Sequence, residues 1–172
     1  MMESPQPPFE RFAHDADVGI RGFGRTWEEA FANGSLALFW VMWEVPKVEP
    51  EVEVSLETTG SDIESLFVAW LNALITLRDE QGLAFAGCTV ASVSSSPSAP
   101  GAPLLWCATG TVRGAALHKV RAHLATEVKA ATYSELSSGI GVPDQHHQPG
   151  RRPLPAAVGE GGYKYVQCIV DV

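Results

Sequence analysis

The chain has no uninterrupted apolar run approaching the roughly 18 residues that a membrane-spanning helix needs, so no helical membrane span is expected. Positive charge is also scarce: 12 Lys and Arg stand against 20 Asp and Glu, a formal net charge of −8. Proteins that hold nucleic acid unaided draw most of their affinity from a basic face that neutralises phosphates. Direct RNA binding therefore starts at a disadvantage. Cysteine is limited to Cys88, Cys107 and Cys168, an odd and widely spaced set embedded in strand-like sequence. That pattern predicts buried thiols in a reducing cytoplasm, not a disulfide framework or a zinc site. Neither a phosphate-cradling P-loop nor a Gly-x-Ser-x-Gly elbow occurs, and no cysteine has a histidine beside it in a protease-like context. Without a nucleophile paired to a base, an independent enzyme is disfavoured. Residues 1–8 are polar and proline-bearing, without the basic start and apolar stretch of a signal peptide, and are expected to be a flexible N-terminus.

What remains is the composition of a folded domain. The chain has 172 residues, 45% hydrophobic and 19% charged, enough to bury one core. Residues 1–172 are expected to form a single domain. Phe9 to Gly22 begins as strand, with Gly22 and Gly24 marking a turn. Thr26 and Glu29 have capping-box spacing and open a helix that carries Trp27, Ala30, Phe31, Ala37, Leu38, Val41 and Met42 and stops before Pro46. Glu51 to Glu57 alternates strictly, as a strand with one wet face does. Ser61 and Glu64 suggest a second capping box. The helix behind it places Ile63, Leu66, Phe67, Trp70, Leu71, Leu74 and Leu77 on one apolar stripe.

After Gly82 the pattern turns to strands at Leu83 to Val93, Leu104 to Val112, Glu127 to Leu136 and Lys164 to Val172. The Ser/Pro-rich residues 94–103 read as a loop. Residues 138–162 read as a mobile insertion containing His146 and His147, which are taken as surface composition. Two helices in a strand-rich chain without regular alternation imply an α+β fold. We expect two layers, a mostly antiparallel sheet with the two main helices packed on one face.

Chemistry-bearing residues gather at the two ends of the sequence. His14, Asp15 and Asp17 lie in one short segment, and if that segment is extended, Asp15 and Asp17 project from the same face. Asp171 precedes Val172, whose α-carboxylate is a further oxygen donor. Hard divalent cations prefer such oxygen clusters. Taken singly, each acidic residue is more often a solvated strand end, and a lone His14 is more often structural. His118, Lys119, Arg121 and His123 form the best basic run for a phosphate or RNA contact, although a solvated connection is the commoner role for such a run.

Several of these segments together resemble the archease family. Phe12 to Ile20 is similar to the family's opening His-Thr-Ala-Asp pattern followed by an apolar residue and Gly. Trp27 to Ala32 resembles its first helix and Asp62 to Leu77 its second. Glu127 to Tyr133 resembles its Lys-Ala-x-Thr-Tyr strand, and Cys168 to Val172 its terminal apolar-x-Asp-apolar ending. The motifs occur in order from Phe9 to Val172. The resemblance implies an α+β accessory protein that activates a GTP-using RNA ligase, one that joins a 2′,3′-cyclic or 3′-phosphate end to a 5′-hydroxyl. The activator would promote the ligase's guanylylation and multiple turnover, and would meet RNA only through the ligase. It also implies a divalent cation, Ca²⁺ foremost with Mg²⁺ or Mn²⁺ as alternatives, held by Asp17, Asp171 and Val172. Asp15 and His14 are possible additions to that site, and Lys129 and Tyr133 candidate partner or RNA contacts. Two positions depart from the family pattern: Asp15 replaces its usual threonine, and Ser134 stands where a histidine is common. Two rival readings are a chaperone-like protein using Trp40 and Trp43 as exposed apolar surface, and a metal-dependent hydrolase with an open metal position.

Overall fold

The computed structural model describes residues 8–140 and 164–172. The expected flexibility of 1–8 (Pro8 aside) and the greater part of the expected 138–162 insertion lie outside the described residues. The elements in chain order are β1 (Phe9–His14), β2 (Asp17–Gly24), α1 (Trp27–Met42), β3 (Val52–Gly60), α2 (Ile63–Gln81), β4 (Leu83–Pro97), β5 (Leu104–Ala116), β6 (Ala130–Ala131), β7 (Ser137–Ile140) and β8 (Lys164–Asp171), with short 3₁₀ turns at Val45–Lys47 and Leu117–His123. The fold is α+β with antiparallel pairing throughout, as expected. The strands divide into two sheets where one was expected. One has the order β1-β2-β8-β6 with β7 also on β8, and the other β3-β5-β4. Both sheets and both helices contribute to one apolar core, in which Phe31, Phe67, Trp70, Leu71 and Leu74 are fully buried.

Both helices start close to where the sequence places them. Thr26 caps α1 by accepting from the Glu29 amide at 3.2 Å, while the Glu29 carboxylate reaches back to the Arg25 amide at 2.7 Å. At α2 the cap is Asp62 with Ser65, not Ser61 with Glu64. Asp62 accepts from the Ser65 amide at 2.7 Å, and Ser65 Oγ accepts from the Asp62 amide at 3.1 Å. The Ser65 amide and the Ser65 hydroxyl, both donating to Asp62 Oδ1, hold its carboxyl below the ordinary value. An aspartate at this position also suits the positive end of the helix dipole. Gly82 ends α2 in the left-handed conformation, φ 61°.

Gly22 and Gly24 do not mark a turn. They lie inside β2, on the side where α1 rests, and the turn of that hairpin is Asp15-Ala16. The strand at Leu83 runs on to Pro97, so the expected 94–103 loop contracts to the residues between Pro97 and Leu104. Glu127 to Leu136 is strand only at Ala130–Ala131. Trp43 is buried and donates through Nε1 to the Phe85 carbonyl at 2.9 Å, so it presents no surface for client proteins.

All three cysteines are free thiols. Cys168 is buried, and desolvation raises its thiol pKa. Burial pushes the Cys88 thiol up to about 11 despite a hydrogen bond with Ser35. Cys88 and Cys107 depart from the expected burial, both being only half-buried. The thiolate is the reactive form. Desolvation and the nearby Glu57 carboxylate also raise the Cys107 thiol, but it lacks the deeper burial that pushes Cys88 to about 11, so a small thiol reagent at neutral pH should modify Cys107 first. Cys88 should react more slowly and the fully buried Cys168 only as the protein unfolds; mass-spectrometric mapping of labelled native protein checks this order.

A carboxylate cluster at the end of the five-stranded sheet

Strand register assembles the candidate site. β1 and β2 are a hairpin whose last pair is His14 with Asp17. β2 pairs with β8 from Val18 opposite Val170, so the next step outward sets Asp17 opposite Asp171. On the far edge of β8, Ala130 pairs with Asp171. Side chains alternate across a strand, and residues directly opposite share a face. His14, Asp17 and Asp171 therefore stand side by side on the outer face, away from the core-facing Val18, Cys168 and Val170. The backbone N–H of Val172 donates to Asp17 Oδ1 at 3.3 Å, and the Lys129 amide donates to the Asp171 carbonyl at 2.8 Å. Residues separated by most of the chain's length thus meet at one sheet end.

The other sequence candidates occupy distinct positions. Asp15 sits at the hairpin turn with φ 49° and is exposed, so the extended segment that would align it with Asp17 is not formed. Aspartate tolerates this left-handed conformation better than most residues. His14 is engaged by a carboxylate, its Nε2 lying 3.2 Å from Glu135 Oε1. Lys129 is exposed beside Asp171, and Tyr133 is 67% exposed. The basic run at 118–123 contributes nothing here: Lys119 is held by the Glu51 carboxylate at 2.6 Å and His123 lies 3.5 Å from Glu44.

Below the cluster the outer face carries a buried polar row. Glu10, Arg21 and Gln167 are register partners on β1, β2 and β8. Arg21 Nη1 donates to Glu10 Oε2 at 2.8 Å, and Arg21 Nε to Gln167 Oε1 at 2.8 Å. Arg21 is flanked by the rings of Phe12 and Phe23. Phe12 lies over Gly19, where an added Cβ would come within 2.0 Å of the ring. Sequence reasoning missed Glu135 and Gln167. Gln167 had a legible signal, as one polar residue inside the apolar run Tyr165 to Val170. Glu135 had none, because its role depends on a bulge.

The donors of Asp17, Asp171 and the Val172 carboxylate are all oxygen, the chemistry that suits a hard divalent cation. Among the described residues, no group of three or more His, Cys, Asp and Glu side chains is arranged to hold a metal ion. The set named here has two carboxylate side chains, so its third donor would be the carboxylate of Val172. No helix is long and apolar enough to cross a membrane among the described residues.

An α+β protein with two antiparallel sheets, one of which sets Asp17 beside Asp171 at its end, is the class this structure defines. Residues 9–172 match the model of the archease protein family, and the chain belongs to that family. It is 37% identical over 128 residues to the protein archease of Thermococcus kodakarensis, covering 74% of this chain and 85% of the relative. It is 48% identical over 77 residues to that of Pyrococcus furiosus, a match spanning 45% of this chain and only 54% of that relative. The solution structure of Methanobacterium thermoautotrophicum protein 1598 shares the fold, with a TM-score of 0.63 at 25% identity over 97% of this chain and all of that one.

Proposed function

We propose that this protein is a non-catalytic activator of a GTP-using RNA ligase in the cytoplasm, promoting its guanylylation and repeated turnover. In this reading Asp17, Asp171 and the carboxylate of Val172 hold a divalent cation, Ca²⁺ foremost, with Mg²⁺ or Mn²⁺ as substitutes. The observation that carries it is the juxtaposition of Asp17 with Asp171 and Val172 in a member of the archease family. Adjacent carboxylates repel one another, and a cation between them offsets that cost. The bound ion would supply positive charge at an otherwise acidic edge.

The chain's own groups do the rest. Asp17 Oδ1 orients the last peptide N–H, the Glu135–His14 pair closes the β1 side, and Tyr133 and Lys129 stand exposed as contacts. With a net charge of −8, the protein is suited to approach a basic ligase active site rather than RNA itself. Asp15, exposed at the hairpin tip, would be a partner contact rather than a cation donor.

Asp17→Ala tests the reading. It should lower Ca²⁺ affinity by at least about tenfold in calorimetry and abolish stimulation of multiple-turnover ligation, while the circular dichroism spectrum stays that of the wild type. Undiminished stimulation by the variant would reject the proposal.

A further inference from the structure

The far edge of β8 is not evenly paired. Ala131 pairs with Val170 and Ser137 with Gln167. Between these pairs β8 contributes Cys168 and Ile169, whereas the facing chain contributes Thr132 through Leu136. The surplus forms a wide bulge. Glu135 in it has φ 45°, a conformation that residues with a side chain seldom adopt, so the surroundings must hold it there. Bulges re-aim side chains and gather beside functional sites. This one leaves Tyr133 exposed and carries Glu135 across to His14 on β1.

Two amide side chains grip the ends of the bulge. At its start, Asn72 of α2 takes the place of a neighbouring strand: Nδ2 donates to the Ala131 carbonyl at 3.1 Å and Oδ1 accepts from the Ala131 amide at 2.8 Å. At its end, Gln167 Nε2 donates to the Glu135 carbonyl at 3.0 Å. The Oε1 of Gln167 is taken by the Arg21 guanidinium, which is itself anchored on Glu10. Arg21 and Gln167 are 4% and 6% exposed, so this grip works in a site sheltered from water. Between the two ends, Thr132 Oγ1 donates to the Ile169 carbonyl and accepts from the Ser134 amide.

We propose that Asn72 and Gln167 are positioning residues of the candidate site. They hold the 132–136 bulge in the one shape that presents Tyr133 outward while Lys129 stays beside Asp171. The inference rests on the activator reading above. A partner meeting a preformed surface does not bear the entropy of ordering it, so loosening the bulge should weaken engagement and leave maximal stimulation intact.

Gln167→Glu is a near-isosteric probe. It keeps an oxygen for Arg21 but cannot donate to the Glu135 carbonyl. Asn72→Asp does the same at the other end, keeping the acceptor for the Ala131 amide and losing the donor. Each variant is measured for thermal midpoint, for amide hydrogen exchange over 132–136, and for ligation by the cognate ligase across a range of activator concentrations. We expect a cooperative melt, faster exchange in the bulge, and a half-saturating concentration raised about tenfold at an unchanged maximum. Unchanged exchange in both variants would overturn the proposal, as would faster exchange with wild-type half-saturation. Should Gln167→Glu fail to fold, Asn72→Asp decides. A wild-type protein that stimulates no ligation defeats the activator reading itself, and this proposal with it, before any variant is compared.

Discussion

Gly22→Val should cost about 3 kcal/mol or more of folding stability, the upper end of the range for overpacking a well-filled site. β2 crosses α1 at Gly22, and a Cβ there would lie 2.2 Å from the Ala30 carbonyl oxygen and 2.2 Å from the Gly34 nitrogen. Both are backbone atoms of one helical turn, so neither can rotate aside as a side chain would. The helix cannot retreat either. A Cβ on Gly34 would meet the Phe67 ring at 2.7 Å, which shows how closely α2 packs on the other side of that turn. Relief requires β2 to lift from the core, taking with it the Asn33 bond to the Phe23 carbonyl and the registration of Asp17. Gly82→Ala is the contrast. Its φ is 61° but nothing lies within 4 Å of the added Cβ, so only conformational strain of about 1–2 kcal/mol is expected. Urea titration of the two variants should rank them in that order, with Gly22→Val keeping only about 2 kcal/mol if total stability is near the lower end of the usual range of about 5–15 kcal/mol.

The same glycines mark where the sequence was legible and where it was not. Helices α1 and α2 could be read from apolar spacing and caps, because the 3.6-residue period and a side-chain cap are local properties. Gly22 and Gly24 suggest a turn because glycine favours turns, yet here glycine serves close approach, which depends on a helix elsewhere in the sequence. Long-range pairing hid the division into two sheets in the same way. Alternation in Glu51 to Glu57 announces a strand without naming its neighbour, and β3 joins β5, not β2.

The candidate site was legible as residues and not as geometry. In the sequence Asp17 and Asp171 are acidic groups far apart, and only family likeness joins them. The structure sets them opposite through the pairing of β2 with β8. Asp15 went the other way: its spacing from Asp17 suggested a shared face, and the two-residue hairpin turn removed it. Lys129 and Tyr133 looked like parts of one strand. A strand of two residues followed by a bulge separates them, and the bulge's amide anchors come from α2 and β8, invisible to any local pattern.

Trp43→Ala should destabilise the protein by about 3–5 kcal/mol, the usual cost of emptying a buried aromatic site. Trp43 is 1% exposed and packs with Phe39 and Phe85 at ring-centroid distances of 6.2 and 5.9 Å, tying the end of α1 to β4. Its indole N–H meets the Phe85 carbonyl, so truncation also leaves that buried acceptor unpaired. Trp43→Phe retains much of the ring and should lose less, chiefly the hydrogen bond and part of the volume. The change reaches the site indirectly. Trp43 bridges to Leu124, and the Met42 and Val41 carbonyls, left over at the end of α1, accept from the Ala125 and Thr126 amides at 2.8 and 3.1 Å. This connection leads on to Val128, whose carbonyl Arg78 holds at 2.8 Å, and then to Lys129. Trp43→Ala should therefore lower the thermal midpoint steeply, while folded protein at low temperature still stimulates the ligase, because Asn72 and the β8 ladder hold Lys129 to Tyr133 independently. Were Trp43 a docking residue for client proteins, the pattern would invert, with the midpoint unmoved and binding lost. Melting curves paired with ligation at two temperatures separate the two outcomes.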